Sequence, residues 1–162
     1  MPILEIRKFN DRILKRRARK IGRINDKTIA LARDMAETMK TSQGLGLAAP
    51  QVGILKRLVV IEANFQDRRS LALINPKIIK KSKEKIVDKE GCLSFPGIYL
   101  DIKRSDKIKV RAKNISGEKI EVEAEGILAR AIQHEVDHLN GIVFYKRLNP
   151  IKRIIFQFKH KF

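Results

Sequence analysis

The clearest chemical signal in the sequence is a pair of histidines four residues apart. The segment reads His134-Glu135-Val136-Asp137-His138, which is an H-E-x-x-H pattern in a helical stretch. Residues four apart lie one turn apart on one helix face, so both imidazoles can reach a single metal ion while Glu135 lies beside it. A metal ion lowers the pKa of a bound water, and a neighbouring glutamate can take and return its proton. The pattern predicts a hydrolytic metal site, and two surface histidines beside an ion-paired glutamate are the alternative.

A catalytic metal in such a site normally needs a third protein ligand. The extended peptidase pattern H-E-x-x-H-x-x-G-x-x-H would place it at Phe144, and no acidic residue follows Asp137. His160 is the only later histidine and stands two residues from the carboxyl end. The single cysteine, Cys92, therefore becomes the candidate, because a Cys-His-His set suits iron(II), zinc or nickel and leaves one position for water. The alternative is a small buried hydrophobe, the usual role of a free cysteine.

Residues 44–51 read G-L-G-L-A-A-P-Q and form a third segment with chemical potential. The first six resemble a dinucleotide-binding fingerprint, but that motif needs a strand before it and a helix after it. Here a helical pattern precedes the glycines, and Pro50 and a strand-like pattern follow. We interpret the segment as a loop whose glycines let a peptide backbone approach, with the Gln51 amide as a donor toward developing negative charge.

Three stretches have the periodicity of helices. The first is predicted to begin after a cap at Asn25 or Asp26 and to end near Lys40. The histidine helix is predicted over about 126–140, closed by Gly141. Its inward stripe is predicted to be Ile127, Ala131, His134 and His138. A short basic amphipathic helix is predicted over 150–162, with Ile151, Ile154, Ile155 and Phe158 on one side.

Six short segments rich in β-branched residues are separated by turn signals, which predicts antiparallel strands. The segments are 57–62, 71–74, 85–88, 98–103, 107–112 and 119–124. Asn75-Pro76, 94–97 and 114–117 are among the turn signals. Helices at both ends and strands between them predict an α+β fold, and 162 residues suffice for one domain, residues 1–162.

Composition narrows the class of protein. The chain has 36 basic and 18 acidic residues, a net charge of +18, and both ends are basic. Such a field attracts polyanions such as RNA, and a solvated basic surface is the alternative. No apolar run is long enough to span a bilayer, and residues 1–23 are too charged for a secretory segment. One cysteine forbids an internal disulfide, which fits a reducing compartment, so we expect a cytoplasmic protein. Because no apolar run could span a bilayer, we expect no membrane partner.

Three segments together resemble the signature motifs of the peptide deformylase family. These motifs are G-x-G-x-A-A-x-Q at 44–51, E-G-C-L-S at 90–94 and Q-H-E-x-D-H at 133–138, and every motif position is matched. The likeness extends from about Ile3 to about Ile155. The resemblance implies antiparallel β-strands around a central helix that carries H-E-x-x-H. It also implies a hydrolase that removes the formyl group from the N-formylmethionine of newly made polypeptides and releases formate.

The resemblance assigns roles to individual residues. Cys92, His134 and His138 would hold one divalent ion, Fe²⁺ in the family, which Ni²⁺, Co²⁺ or Zn²⁺ can replace. Glu135 would be the general acid and base. The oxyanion would be stabilised by Gln51 and the backbone N–H of Leu93. The substrate would be bound by Gly46 through its backbone and by a methionine pocket of Leu45, Ile127 and Ala131. Arg104 and Glu90 resemble a pair that steadies the cysteine loop, and a surface ion pair is the alternative.

The chain departs from many relatives outside the motifs, with Arg12 where a proline is frequent and Tyr99 where a basic residue is frequent. Its segment after Pro150 is short. These differences concern how the protein would bind the substrate residues after methionine and how it would dock on the ribosome. The basic ends are expected to favour docking on the ribosome.

The sequence leaves three other function classes open. A zinc metallopeptidase would use the same helix but lacks its usual third ligand. A basic RNA- or ribosome-binding protein would explain the charge, but the chain has no tryptophan and two tyrosines for base stacking. A cysteine hydrolase using Cys92 would need no metal and would survive a chelator.

Overall fold

The computed structural model describes residues 2–64 and 69–161 and builds an α+β fold from two antiparallel sheets and three α-helices. The five-stranded sheet has the order β1-β2-β3-β6-β7, and β4 and β5 form a separate hairpin. The strands are β1 Gly46–Ala48, β2 Leu58–Asn64, β3 Arg69–Lys81, β4 Lys85–Cys92, β5 Phe95–Ser105, β6 Lys107–Lys113 and β7 Lys119–Glu125. The helices are α1 Asp26–Thr41, α2 Gly126–Leu139 and α3 Pro150–His160.

Helix α1 begins where the sequence predicts. The Asn25 side chain accepts a hydrogen bond from the Thr28 N–H at 3.1 Å and so caps a helix start. The buried face of α1 includes Ala32, Met35 and Met39, which pack in a cluster with residues of β1, β2 and β3. The helix therefore covers one face of the large sheet.

Helix α2 is the central element and contacts strands of both sheets. Its apolar side packs against the large sheet through Ala129, Ile132, Val136 and Leu139. Ten of its 14 residues are buried, which is expected of a helix covered on most sides. None of the helices in the described residues is long and apolar enough to cross a membrane.

The predicted inward stripe of α2 is wrong at its first position. Ile127 is 53% exposed, and Ala131 is half-buried, because both line a cavity rather than the apolar core. The predicted end of α2 is confirmed. Gly141 has a φ of 71°, and a Cβ on it would lie 2.6 Å from the Lys15 carbonyl oxygen. Glycine is thus required there, because the backbone is left-handed and because a side chain would clash with the Lys15 carbonyl.

Strand β3 is longer than predicted, because the Asn75-Pro76 pair interrupts it without ending it. The register with β6 shifts between Ile74 and Lys77, and Asn75 has a φ of 53°. The Asn75 side chain donates to the Ile21 carbonyl and accepts from the Ile21 N–H, both at 2.8 Å. These two bonds replace ladder bonds at the bulge and fix the amino-terminal segment against the sheet.

The β4-β5 hairpin is also longer than predicted and presents Cys92 at its closed end. Lys85 to Lys89 are exposed, and the strand predicted over 85–88 continues through the buried Glu90 to Cys92. Cys92 pairs with Phe95 after a register shift at Gly91, which leaves a tight turn at Leu93-Ser94. This short turn fixes the direction of the cysteine side chain.

Helix α3 forms as predicted, ending at His160, but its apolar side faces outward. Asn149 caps it by accepting from the Lys152 N–H at 2.8 Å. Phe156 faces the body of the protein and is buried. The exposed residues are the predicted apolar set, Ile151, Ile154, Ile155 and Phe158.

Candidate metal centre

Three side chains that the sequence predicts as metal ligands converge in the structure. The Cys92 Sγ atom at the end of β4 lies 3.3 Å from His138 Nε2, and His138 Nε2 lies 3.1 Å from His134 Nε2. All three ligand atoms lie within 4.8 Å of one another. Sequence segments that are 46 residues apart thus meet at one point.

The chemistry of these three atoms fits a metal ion. His134 and His138 are 5% and 1% exposed, so solvent has little access to their ring nitrogens. Two imidazole nitrogens and a sulfur that face one another bring three lone pairs together, and a divalent cation satisfies all of them. The residues present therefore could hold one divalent ion.

His134 is oriented by a buried carboxylate on the opposite side of its ring. Its Nδ1 lies 2.6 Å from Glu90 Oε1, so this nitrogen donates to the carboxylate and Nε2 faces the other two candidate ligand atoms. Burial alone would raise the pKa of Glu90, but hydrogen bonds from His134 and Arg104 outweigh burial and hold it well below its ordinary value. Glu90 is therefore ionised at every physiological pH.

Arg104 connects Glu90 to the histidine helix. Its guanidinium contacts the two Glu90 oxygens at 2.7 and 3.1 Å, and Nη1 lies 2.6 Å from Asp137 Oδ2. Arg104 and Glu90 are each 5% exposed, so the alternative of a surface ion pair is wrong. Arg147 donates from Nε to the same Asp137 oxygen at 2.9 Å. The hairpin and α2 are thus joined by alternating buried charges.

Glu135 is buried beside the ligand atoms with one oxygen available. A Cβ at Gly46 would lie 2.7 Å from Glu135 Cγ, so the strand β1 backbone packs directly on this side chain. Glu135 Oε2 is buried and has no hydrogen-bond partner among the described residues. Burial raises the pKa of Glu135 to about 7. A carboxyl group in this state is suited to taking up and releasing a proton near neutral pH.

Gln51 lies in the 3-10 turn Ala49–Val52 and is completely buried. Its Oε1 accepts from the Ala48 N–H at 2.8 Å, which directs Nε2 toward Cys92 Sγ at 3.6 Å and Ser94 Oγ at 3.3 Å. This turn is not the long helix that a dinucleotide loop requires, so the rejection of that motif is confirmed. The amide is instead a fixed donor beside the ligand atoms.

A cavity of about 610 Å³ opens above the ligand atoms. Cys92, His134 and Glu135 lie in its lining. The residues of the predicted methionine pocket, Leu45, Ile127 and Ala131, line the same cavity, as do Gly46 and Leu93. Leu45 is 43% exposed, which leaves an apolar surface accessible to a ligand.

The sequence and this geometry agree with the comparison to known families, in which residues 3–154 match the family model described as polypeptide deformylase. The chain belongs to the peptide deformylase family. It is a metal-dependent hydrolase that removes the formyl group from N-formylmethionine at the amino terminus of newly made polypeptides. The comparison favours formyl hydrolysis over the zinc peptidase and the RNA-binding protein.

Bacterial peptide deformylases match almost the whole chain. Peptide deformylase of Thermodesulfovibrio yellowstonii is 45% identical, with 99% of this chain and 98% of the relative covered. Peptide deformylase 1 of Clostridium perfringens is 48% identical, with 89% and 97% covered.

Solved deformylase structures have the same fold. The peptide deformylase of Ehrlichia chaffeensis in complex with actinonin superimposes with a TM-score of 0.91 at 40% identity, covering 99% of this chain and 97% of that one. The enzyme of Thermotoga maritima gives 0.88 at 42% identity, covering 93% and 100%. The predicted α+β class is confirmed.

Sequence reasoning gave no role to three residues around this deformylase site, although one of them, Asp137, is a motif position. Arg130 donates to Glu90 at 3.1 Å and to the carbonyls of Ile102 and Ile86 at 2.8 and 2.9 Å. Asp137 and Arg147 complete the charge network. Arg130 stands four residues before His134, so a charged side chain on the ligand face was the available signal. For Arg147 the sequence gives no comparable signal.

Proposed function

We propose that Cys92, His134 and His138 hold one divalent ion and that Glu135 moves the proton in formyl hydrolysis. The observation that supports this is the convergence of three ligand atoms within 4.8 Å beside a buried carboxylate with an unpartnered oxygen. When bound, the ion would polarise the formyl carbonyl and acidify a water molecule.

We propose Fe²⁺ as the native ion, with Zn²⁺, Ni²⁺ or Co²⁺ able to replace it. A thiolate with two imidazoles is a donor set that accepts each of these metals, so the donors alone do not select one. Resemblance to the family supports iron. Metal analysis of protein purified without oxygen, followed by activity after reconstitution with each ion, tests this assignment.

Glu135 carries the proton between the two halves of the reaction. Its Oε2 takes a proton from the attacking water, and the same atom returns it to the amine nitrogen as the C–N bond breaks. The products are formate and a polypeptide with a free amino terminus. The raised pKa of Glu135, about 7, makes both transfers accessible.

Gln51 and the backbone N–H of Leu93 stabilise the negative charge that develops on the formyl oxygen. The Gln51 Nε2 position beside Cys92 Sγ supports this role. Loss of one such donor costs about 3–4 kcal/mol of transition-state stabilisation in enzymes of known mechanism.

The methionine side chain occupies the apolar part of the cavity, between Leu45, Ile127 and Ala131. Strand β1 is an edge strand, and Gly46 in it pairs with Ile61 of β2 on one side only. The substrate backbone can therefore add along β1 with Gly46 as a partner, as extended peptides do at free sheet edges.

We propose that the enzyme works in the cytoplasm at the ribosome. Its substrate is a newly made chain, and its net charge of +18 favours association with ribosomal RNA by counterion release. Co-sedimentation with ribosomes over increasing salt tests this, and binding that ignores salt contradicts it.

The decisive experiment measures formate release from a formyl-Met tripeptide by protein loaded anaerobically with Fe²⁺. The parent should release formate, while Cys92→Ala and Glu135→Ala should not. Glu123→Ala, at an exposed position on β7, is a matched control that should retain activity. A folded, metal-loaded parent without formate release would contradict the proposed function.

A further inference from the structure

A second cavity of about 460 Å³ lies beside the active-site cavity, against helix α3. Four residues line both cavities, namely Lys89, Gly97, Ile98 and Tyr99. The Tyr99 ring packs on Gly91, where a Cβ would lie 2.8 Å from the ring, and Tyr99 remains 68% exposed. The two cavities thus share a wall at Tyr99, and a continuous surface leads from the ligand atoms to α3.

The second cavity combines apolar and cationic lining. Its apolar residues are Ile98, Leu100, Leu148, Ile155 and Phe156. Its charged rim includes Lys89, which lies 3.5 Å from Asp101, and two exposed lysines of α3, Lys152 and Lys159. Within residues 2–64 and 69–161, neither Lys152 nor Lys159 has an ion-pair partner. Asp101 also lines the cavity, on the hairpin side where it pairs with Lys89, so the positive charge that lacks a partner lies on the α3 side.

The substrate of this enzyme is longer than the active-site cavity. An extended chain advances about 3.3–3.6 Å per residue, so residues after methionine soon pass the cavity rim. The shared wall at Tyr99 provides a route for them. Peptide side chains that alternate between apolar and acidic match the lining, because positive potential attracts carboxylates while the apolar surface receives their neighbours.

We propose that the second cavity binds the downstream segment of the substrate polypeptide and prefers acidic side chains there. This inference rests on the proposed function and adds a specificity element remote from the reacting bond. The preference arises from Lys152 and Lys159 of α3. A tripeptide ends before α3 and serves as the internal reference.

The test compares two formyl-Met peptides that share their first three residues. One is extended by alternating leucine and aspartate, and the other by alternating leucine and lysine. We expect the acidic peptide to have a kcat/KM roughly 2–25-fold higher at low salt, since an exposed ion pair contributes a factor of about 1.4–5 and two lysines take part. The ratio should approach one at high salt.

Charge reversal on α3 tests whether the preference for the acidic peptide arises from this helix. Lys152→Glu combined with Lys159→Glu should invert the ratio. Lys77→Glu combined with Lys80→Glu is the matched control, because both lysines are exposed on β3, line neither cavity and change the net charge equally. The control should keep the preference of the parent.

Three results would overturn the inference. They are equal kcat/KM for the two extended peptides, a control variant that shifts the ratio as far as the α3 variant, and tighter binding of single-stranded RNA than of the acidic peptide at the α3 lysines. Failure to hydrolyse the tripeptide would contradict the proposed function instead. Fluorescence anisotropy of labelled extended peptides, which needs no turnover, would then still compare the parent with the α3 variant.

Discussion

At the scale of single residues, Gly46 is the position where the addition of one methyl group should damage the chemistry most directly. A Cβ there would lie 2.7 Å from Glu135 Cγ and 2.8 Å from its Oε1, so the carboxylate must move. We expect Gly46→Ala to lower kcat/KM for a formyl-Met tripeptide roughly 100-fold, the scale associated with a displacement of about 1 Å.

Gly22→Ala is the control for this substitution, because a Cβ at Gly22 meets nothing within 4 Å. Its kinetics should match those of the parent. Normal activity in Gly46→Ala would show that the carboxylate position is not critical.

The buried Glu135 should also destabilise the metal-free protein above neutral pH. Burial raises its pKa to about 7 from 4.5, so ionising it costs more in the folded than in the unfolded state. Below about pH 4.5 both states hold the proton and the cost is absent. Above pH 7 the cost is complete, about 3 kcal/mol.

Glu135→Gln should therefore stabilise the metal-free protein at pH 8 by that amount and have little effect at pH 4.5. Urea unfolding of the parent and the variant at both values measures the difference. A difference that is the same at the two pH values would refute the burial effect.

At the scale of elements, the junction between α2 and the β4-β5 hairpin depends on Arg130. This side chain reaches Glu90 at 3.1 Å and the carbonyls of Ile102 and Ile86 on both strands. Removing it takes one cationic donor away from Glu90, which keeps Arg104 and His134, and away from the two carbonyls. We expect Arg130→Met to reduce the free energy of unfolding by about 2–3 kcal/mol.

The same substitution should weaken metal binding, because His134 is oriented through Glu90. Metal affinity typically falls roughly 10–100-fold when the groups that orient a metal-ligating residue are removed. Competition with a chromophoric chelator measures the affinity. Arg111→Met is the control, since Arg111 forms an exposed pair with Glu121 and should change stability by less than about 1 kcal/mol.

Much of the element arrangement was predictable, and the exceptions have physical causes. Caps, glycine stops and histidine spacing are local signals, so the three helices and the proposed ligand set follow from the sequence. The extension of β3 through Asn75 was not predictable, because the bond between its side chain and Ile21 is tertiary. The charges around Glu90 were missed because Arg130 and Arg147 have the composition of surface residues, and only the fold shows what they contact.

At the scale of the whole molecule, the net charge of +18 should destabilise the folded state at low ionic strength. Folding brings like charges closer together, and salt screens them within about 8 Å at physiological ionic strength. We expect the Tm of the protein to rise by roughly 2–4 °C when sodium chloride replaces dilute buffer, equivalent to about 1 kcal/mol. Calorimetry measures the shift, and sucrose is the uncharged control. An unchanged Tm would show that the ion pairs already balance the repulsion.

The position of Cys92 in a hairpin, 46 residues before its partner His138, has a consequence for how the enzyme is made. A polypeptide emerges from the ribosome amino end first, so the thiol appears before either imidazole that will face it. Until α2 has been synthesised and packed, the sulfur has no ligand partners and remains open to oxidants and to stray metals. Maturation of this enzyme therefore requires that α2 is synthesised and packed before the Cys92 sulfur is damaged.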